Sequence, residues 1–127
     1  MADPLSDEQR EIRELVRTLA RERIAPRAAE IDATAEFPWD MVELFREHDV
    51  FGLPFDERHG GSGTGVLMLL VAIEEISKVC ATTGLVLAVQ ELGSLALKLA
   101  GTDELKERYL PRLASGEWLA AYPPSER

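Results

Sequence analysis

The sequence of 127 residues is poor in the side chains that build self-contained metal or redox sites. It contains one cysteine, Cys80, and two histidines, His48 and His59. A single cysteine cannot form an internal disulfide, which fits a reducing compartment, and these three residues are too few for a zinc cage. Neither histidine follows a glutamate by three residues, so the Glu-x-x-His pattern of di-iron bundles is missing. We expect no metal site, two ordinary surface or loop histidines, and a buried Cys80 that acts as a small apolar side chain.

Positive charge is also scarce. The chain has 14 Lys and Arg against 23 Asp and Glu, a net charge of −9, which argues against nucleic acid or an anionic membrane surface as partner. The apolar run over residues 65–73 has about half the length of a bilayer-crossing helix, and the polar, acidic N-terminus differs from a signal peptide. We therefore expect a cytoplasmic protein without a membrane partner.

The most apolar stretch is residues 64–100, which carries only five charged side chains. Its pattern predicts one helix over residues 64–79 and a second helix toward residue 100, with a possible bend at Gly93. The threonines at residues 82 and 83 are expected to cap the second helix, because a threonine hydroxyl accepts from an unpaired first-turn N–H. Helices that are apolar nearly all round need burial on several sides, so this pair is expected inside a bundle.

The remaining segments predict four further helical pieces. Ser6 begins the first with a capping-box pattern, Pro26 interrupts it, and Pro38 opens the next. Thr102 is expected to cap the last helix, over residues 103–114. The expected buried residues after Pro38 are Trp39, Val42, Leu44 and Phe45. The fold class is therefore all-α, an up-and-down or orthogonal bundle of about five to six helices with an extended C-terminal tail.

Two motifs resemble functional ones, a glycine-rich nucleotide-binding loop and an acid–base pair of glutamates. The glycine run from Gly61 to Gly65 begins like GxGxxG, but the third glycine comes one residue early and no buried strand precedes it, which favours a structural turn. Glu74 and Glu75 are adjacent on a helix, so their side chains point about 100° apart and cannot face each other as an acid–base pair. We expect one to be solvated and the other to meet an arginine, which another chain or domain could supply.

Four segments taken together resemble the N-terminal helical domain of the acyl-CoA dehydrogenases. They are IAPRAAEID, FPWDMVELFREHDVFGLPFDERHGGSGTG, AIEEISKVCATTGLVLAVQ and GTDELKERYLPRLASGEWLAAY. The last is similar to the family's Gly-Thr-x-Glu-x-Lys-x-x-Tyr-Leu-Pro-x-Leu-x-x-Gly-Glu signature. The resemblance divides the chain into a helical domain, residues 1–116, and the start of the family's β domain, residues 117–127.

The resemblance implies an activity and site residues. Family members add a middle β-barrel and a C-terminal four-helix domain, hold FAD between those two, and convert acyl-CoA to enoyl-CoA with a glutamate base on the C-terminal part. By position, Val86, Val89 and Gln90 would line the acyl channel, although these three could equally be core residues. Tyr122 and Ser125 would touch the flavin.

The chain also departs from the family pattern. Pro123 and Pro124 replace a small or β-branched pair, and Arg127 stands where the family has a proline. Since the β domain and the base are missing from these residues, we expect no catalytic residue here. Two hypotheses remain: the N-terminal part of an FAD-dependent acyl-CoA dehydrogenase that is inactive alone, or a non-enzymatic scaffold or oligomerisation module. Uncovered interdomain surface predicts a homo-oligomer in either case.

Overall fold

The computed structural model describes residues 4–125, and these fold into helices joined by short connections. The α-helices are α1 (Asp7–Leu19), α2 (Ala25–Thr34), α3 (Trp39–Glu47), α4 (Gly65–Ser77), α5 (Ala81–Ala100) and α6 (Asp103–Ala114). Ala20–Ile24 forms a π-helical turn between α1 and α2, and two short 3-10 turns, Val50–Gly52 and Glu57–His59, lie between α3 and α4. Within residues 4–125 there is no β-strand, which confirms the all-α prediction.

The helix starts that carry polar caps were predicted correctly. The hydroxyl of Ser6 accepts from the Gln9 N–H at 3.2 Å, and the Gln9 side-chain oxygen accepts from the Ser6 N–H at 3.0 Å. At α6, the Thr102 hydroxyl accepts from the Leu105 N–H at 3.3 Å. Both caps satisfy donors that the helix itself leaves unpaired.

The expected interruption at Pro26 lies upstream of the proline. Pro26 falls in the first turn of α2 and has no N–H to donate to the helical turn that precedes it. The irregular segment is the π-helical turn before it, which keeps Ala20 and Ile24 fully buried against the core. The chain therefore continues from α1 into α2 without a break.

Helices α1, α4, α5 and α6 pack in series, each against the next. The main core lies where α1, α3, α4, α5 and the loop after α3 meet, around an edge-to-face contact of Phe45 and Phe51 with ring centroids 5.5 Å apart. A smaller apolar cluster joins Phe55 of the loop to Leu110 and Leu113 of α6. The two clusters fix both ends of α5.

The prediction that α4 and α5 lie inside the bundle is wrong. Each helix buries one side and exposes large apolar residues on the other. These are Val66, Leu67 and Leu70 on α4 and Leu85, Leu92, Leu95 and Leu99 on α5. The four leucines of α5, named the outer leucine face below, recur at the three- and seven-residue steps of a helix-packing seam.

Two further expectations fail. Trp39 is 61% exposed and stacks edge-to-face on Phe37, while Met41 takes the buried place. His59 lies in the loop, as expected, and its side chain is buried there. The threonines do not cap α5: Cys80 occupies the cap position, and the buried Thr83 hydroxyl donates to the Cys80 sulfur at 3.1 Å. Cys80 itself is buried, as predicted.

Helix α5 is long and apolar enough to cross a membrane by length and composition alone. The expectation of no membrane-crossing segment rested on residues 65–73, which lie outside this helix. The criterion is weak for a single helix, since core helices of globular proteins also meet it. Here α5 packs between α4 and α6, and its buried Gln90 bonds to neighbouring backbone.

A buried ion pair joins α1 to α4. Glu75 is 5% exposed and accepts two hydrogen bonds from the Arg17 guanidinium, from Nε and from Nη2, each at 3.0 Å. Lys78 donates to the same carboxylate at 2.9 Å and also pairs with the exposed Glu74. The expected arginine is therefore present, but it comes from this chain. Chiefly through the bond from Arg17, with help from Lys78, the pKa of Glu75 falls from 4.5 to about 2.

The Glu75→Gln variant should be less stable at neutral pH, because Arg17 and Lys78 lose a buried anionic partner. We expect the free energy of unfolding at pH 7 to fall by about 1 to 3 kcal/mol. The folded pKa lies below the unfolded one, so the pair stabilises the fold above the unfolded value of 4.5 and loses that effect as the pH falls toward 2. Urea denaturation should show parent and variant converging over that range.

The matched control is Glu74→Gln, one residue away and exposed, for which we expect little change at any pH. A deficit of Glu75→Gln that stays constant between neutral and strongly acidic pH would contradict the assignment.

The glycine-rich loop is a closed structural turn. The Ser62 N–H donates to the Gly52 carbonyl at 3.0 Å, and the Gly63 N–H donates to the Phe55 carbonyl at 2.9 Å. A Cβ on Gly61 would lie 2.1 Å from the Phe55 carbonyl oxygen, whereas Gly60, at φ 85°, has open space around it. Gly61 is therefore required for close backbone approach, and Gly60 only for its left-handed conformation.

These two neighbouring glycines should respond differently to substitution. Gly61→Ala forces the loop apart and should cost about 1 to 3 kcal/mol of folding free energy. Gly60→Asn should cost well under about 1 kcal/mol, because asparagine tolerates a positive φ. Thermal unfolding of both variants tests this, and equal losses would show that the contact with Phe55 does not matter.

Candidate functional site

The residues predicted for the acyl channel share one side of α5. Val86, Val89, Gln90 and Gly93 fall within about 100° of each other around the helix axis. Val86 and Val89 are half-buried, and Val86 packs against the main core, while Gln90 is 2% exposed. The described structure thus brings these residues together, at the side of α5 crossed by the chain that leaves α6.

The Gln90 side chain bonds to three points of that chain. Its Nε2 donates to the carbonyls of Leu113, at 2.8 Å, and Trp118, at 2.9 Å. Its Oε1 accepts from the Ala120 N–H at 2.8 Å. Both N–H bonds of the amide are used, so the side chain links the end of α6 and the following segment to α5. The sequence predicted a lining residue here and gave no signal for these partners.

Gly93 allows the same segment to approach α5. A Cβ at this position would lie 2.6 Å from the Ala120 Cβ and 3.0 Å from the Ala121 carbonyl oxygen. Helix α5 runs unbroken through Gly93, the position at which the sequence suggested a possible bend. A glycine inside a helix is unfavourable by about 1 kcal/mol relative to alanine, so the close contact is its structural reason.

The segment after α6 is also held by its aromatic residue. The Arg112 guanidinium carbon lies 4.4 Å from the centre of the Trp118 ring, and the Tyr109 ring centroid lies 5.8 Å from it. The Trp118 N–H donates to the Arg112 carbonyl at 3.1 Å. Beyond this anchor the chain is irregular, and Tyr122 and Ser125 are both exposed. Arg127, singled out in the sequence, lies outside the described residues.

Cofactor ligands are few in this part of the chain. Tyr122 and Ser125 offer hydroxyl groups, but Pro123 and Pro124 have no N–H to donate, and both hydroxyl-bearing residues are exposed. Residues 4–125 therefore do not enclose a flavin by themselves. Across the same residues, no three His, Cys, Asp or Glu side chains are grouped to hold a metal ion.

A groove of about 1010 Å³ lies elsewhere, between α1 and the loop after α3. Its apolar wall comes from Ile12, Leu15 and Leu19 of α1, opposite Val50 and Leu53. None of the five residues predicted for acyl or flavin contact, all within the described chain, lines it. This groove is therefore a different surface from the one that the sequence indicated.

Comparison with known proteins decides the family. The family model described as "Acyl-CoA dehydrogenase, N-terminal domain" matches residues 6–117. The chain belongs to the acyl-CoA dehydrogenase family. This confirms the resemblance found in the sequence, and the match to the N-terminal domain agrees with the helical fold.

Individual relatives give the extent of the similarity. The short-chain specific acyl-CoA dehydrogenase of Clostridium acetobutylicum is 41% identical over 96% of this chain and 32% of its own length. Cyclohexane-1-carbonyl-CoA dehydrogenase of Geobacter metallireducens is 42% identical over 95% of this chain and 32% of its own length. The structure of butyryl-CoA dehydrogenase from Megasphaera elsdenii superimposes with a TM-score of 0.83 at 26% identity, covering 94% of this chain and 32% of that one. The chain spans about a third of the length of the acyl-CoA dehydrogenases it matches.

Proposed function

We propose that this chain is the N-terminal helical part of an FAD-dependent acyl-CoA dehydrogenase and forms one wall of its acyl pocket. The observation that carries the proposal is the clustering on α5: the side that bears Val86 and Val89 also holds, through Gln90, the segment leading to Tyr122. The residues predicted to contact the acyl chain and those predicted to contact the flavin are thus linked through the contacts of one helix. The family match over residues 6–117 supports the same role.

The proposed wall works by apolar contact. Val86 and Val89 would present methyl groups to the acyl chain of an acyl-CoA, where each buried methylene contributes about 0.8 kcal/mol. Gln90 would close the wall where the segment after α6 crosses the helix. Tyr122 and Ser125 would contact the flavin, which when bound supplies the acceptor for the hydride removed in forming an enoyl-CoA. No residue of this chain is proposed as the catalytic base, so the 127 residues alone should be inactive.

Location and assembly follow as parts of the same proposal. A single buried cysteine and an acidic chain suit the cytoplasm, and we propose no nucleic acid and no membrane as partner. A homo-oligomer is proposed because α4 and α5 expose large apolar residues on one side each.

A chimaera tests the function. This chain would replace the matching third of the Clostridium acetobutylicum enzyme, which keeps its own remaining two-thirds. We expect the purified chimaera to be yellow with a flavin spectrum and to reduce a dye when butyryl-CoA is added, whereas the 127 residues alone do neither. A chimaera that is folded and colourless would contradict the proposed function.

A second substitution in the chimaera tests the wall. Val89→Trp should fill the acyl site and raise the KM for butyryl-CoA about tenfold or more, because a bulky ring displaces the acyl methylenes. Val66→Trp, the same change at a residue 53% exposed on α4, is the control and should leave KM near the parent value. If the chimaera is active and Val89→Trp leaves its KM for butyryl-CoA unchanged, α5 does not form a wall of the acyl pocket.

A second candidate function is a non-enzymatic oligomerisation module, and the outer leucine face favours it. Leu85, Leu92 and Leu99 stand one heptad apart and are 61%, 44% and 76% exposed. Large apolar patches of this kind on a small domain usually meet another protein surface. Two copies could cover each other's leucines in an antiparallel helix pair.

Sedimentation of the 127-residue chain tests self-association. We expect a concentration-dependent dimer, and the double variant Leu92→Glu, Leu99→Glu should raise its Kd by about 100-fold or more by placing charges in an apolar seam. Leu15→Glu is the control, since Leu15 is 72% exposed but lies on α1. A chain that stays monomeric at high concentration, or a dimer disrupted only by the α1 variant, would contradict a role for the outer leucine face.

A further inference from the structure

We propose that Gln90 is a positioning residue: together with Gly93 it fixes residues 118–121 on α5 and so sets where Tyr122 and Ser125 lie relative to Val86 and Val89. The inference deepens the proposed function and rests on it for its consequence at the flavin. The docking itself rests only on contacts within this chain.

The hydrogen bonds of the Gln90 side chain all go to backbone groups at the end of α6 and in the segment that follows it. Leu113 is a buried residue in the last turn of α6, Trp118 follows the turn after it, and Ala120 lies two residues before Tyr122. One buried amide therefore holds three backbone groups in succession, all on the path from α6 toward the proposed flavin contacts. A buried amide is costly unless it is bonded, so the arrangement is stable only while that segment is docked.

Gly93 supports the same docking independently. It lies three residues after Gln90, on the same side of α5, and any side chain there would meet residues 120 and 121. Glycine weakens a helix, and glutamine in an apolar environment needs partners. Glycine is unfavourable within a helix and a buried glutamine is unfavourable without partners, and the chain that crosses α5 explains both.

The side chains on α5 differ in what they can contact: the two valines suit a ligand, and Gln90 holds the backbone. Val86 and Val89 lack polar groups and are half-buried, so they suit an apolar ligand. Gln90 is fully committed to backbone partners and has no amide proton left for a substrate. Its effect on an acyl or flavin ligand is therefore exerted through the segment it holds.

Hydrogen exchange on the full 127-residue chain tests the docking. In Gln90→Met, which keeps the length of the side chain but not its bonds, the Ala120 amide should exchange about tenfold faster or more, while amides within α4 keep their protection. The control is Gln9→Met, the same substitution in the capping box of α1, which weakens a helix start far from this segment. Ala120 protection that is unchanged in Gln90→Met, or equally lost in the control, overturns the proposal.

A second variant covers the case in which Gln90→Met fails to fold. Gly93→Ala should favour the helix itself, because alanine is the better helix former, yet expel residues 120 and 121. We expect faster exchange at Ala120 without loss of α5 protection. If Gly93→Ala keeps the Ala120 amide protected, Gly93 is not part of the docking site.

The effect of Gln90 on flavin binding and activity is measured in the chimaera with the Clostridium acetobutylicum enzyme. Gln90→Met should lower the flavin content or kcat about tenfold with a smaller change in the KM for butyryl-CoA, whereas Val89→Trp acts mainly on KM. A Gln90→Met chimaera with normal flavin content and kcat overturns the positioning role. If the parent chimaera itself binds no flavin, the proposed function fails, and the exchange experiment alone decides the docking.

Discussion

Helix α5 is the element on which the rest of the structure depends, because it is more apolar than this domain can cover. Its inner side buries Thr83, Leu87 and Gln90 against the core and the segment after α6. Its outer side leaves the leucine face exposed. The core clusters and the Gln90 bonds hold the inner side of this helix, and its exposed side is available to another protein surface.

Electrostatic contacts also hold the other elements around α5. The Arg17–Glu75 pair fixes α1 on α4, and α4 in turn packs along α5. At the far end, Lys98 of α5 lies 3.8 Å from the centre of the Phe55 ring and donates to the Pro54 carbonyl at 3.3 Å, which holds the glycine-rich loop against the helix. Arg17 and Lys98 thus place positive charge at contacts between elements of a chain whose net charge is −9.

Much of the local structure could be predicted from sequence because its causes lie within a few residues. The capping box at Ser6, the Thr102 cap and the bounds of α6 depend on neighbours three or four positions away. The family could also be recognised, since its motifs extend through most of the chain. These features required no knowledge of how the helices pack.

What failed depended on contacts distant in sequence. A helix apolar on all sides does not reveal which side meets the core, so the outer leucine face was expected inside and Trp39 was expected to be buried. Gly93 was interpreted as a bend because the residue that needs its space, Ala120, lies far along the chain. An arginine partner for the acidic pair was predicted correctly, but the pattern did not identify Arg17 of this chain as that partner. In each case the pattern identified an unusual residue but not its partner.

The different proposed roles of the residues on α5 also bear on how this domain could accommodate different acyl groups. Relatives named for a short-chain and for a cyclic acyl-CoA share the domain, so the fold itself does not select the acyl group. In the proposed wall, the side chains of Val86 and Val89 are half-buried and make no hydrogen bond; Val86 also packs against the main core, so Val89 is the position whose size could change most freely. Gln90 and Gly93 lack that freedom, because any change there moves the backbone that leads to Tyr122. Selectivity could therefore vary chiefly at Val89 while the geometry toward the flavin stays fixed by the next turn of the same helix.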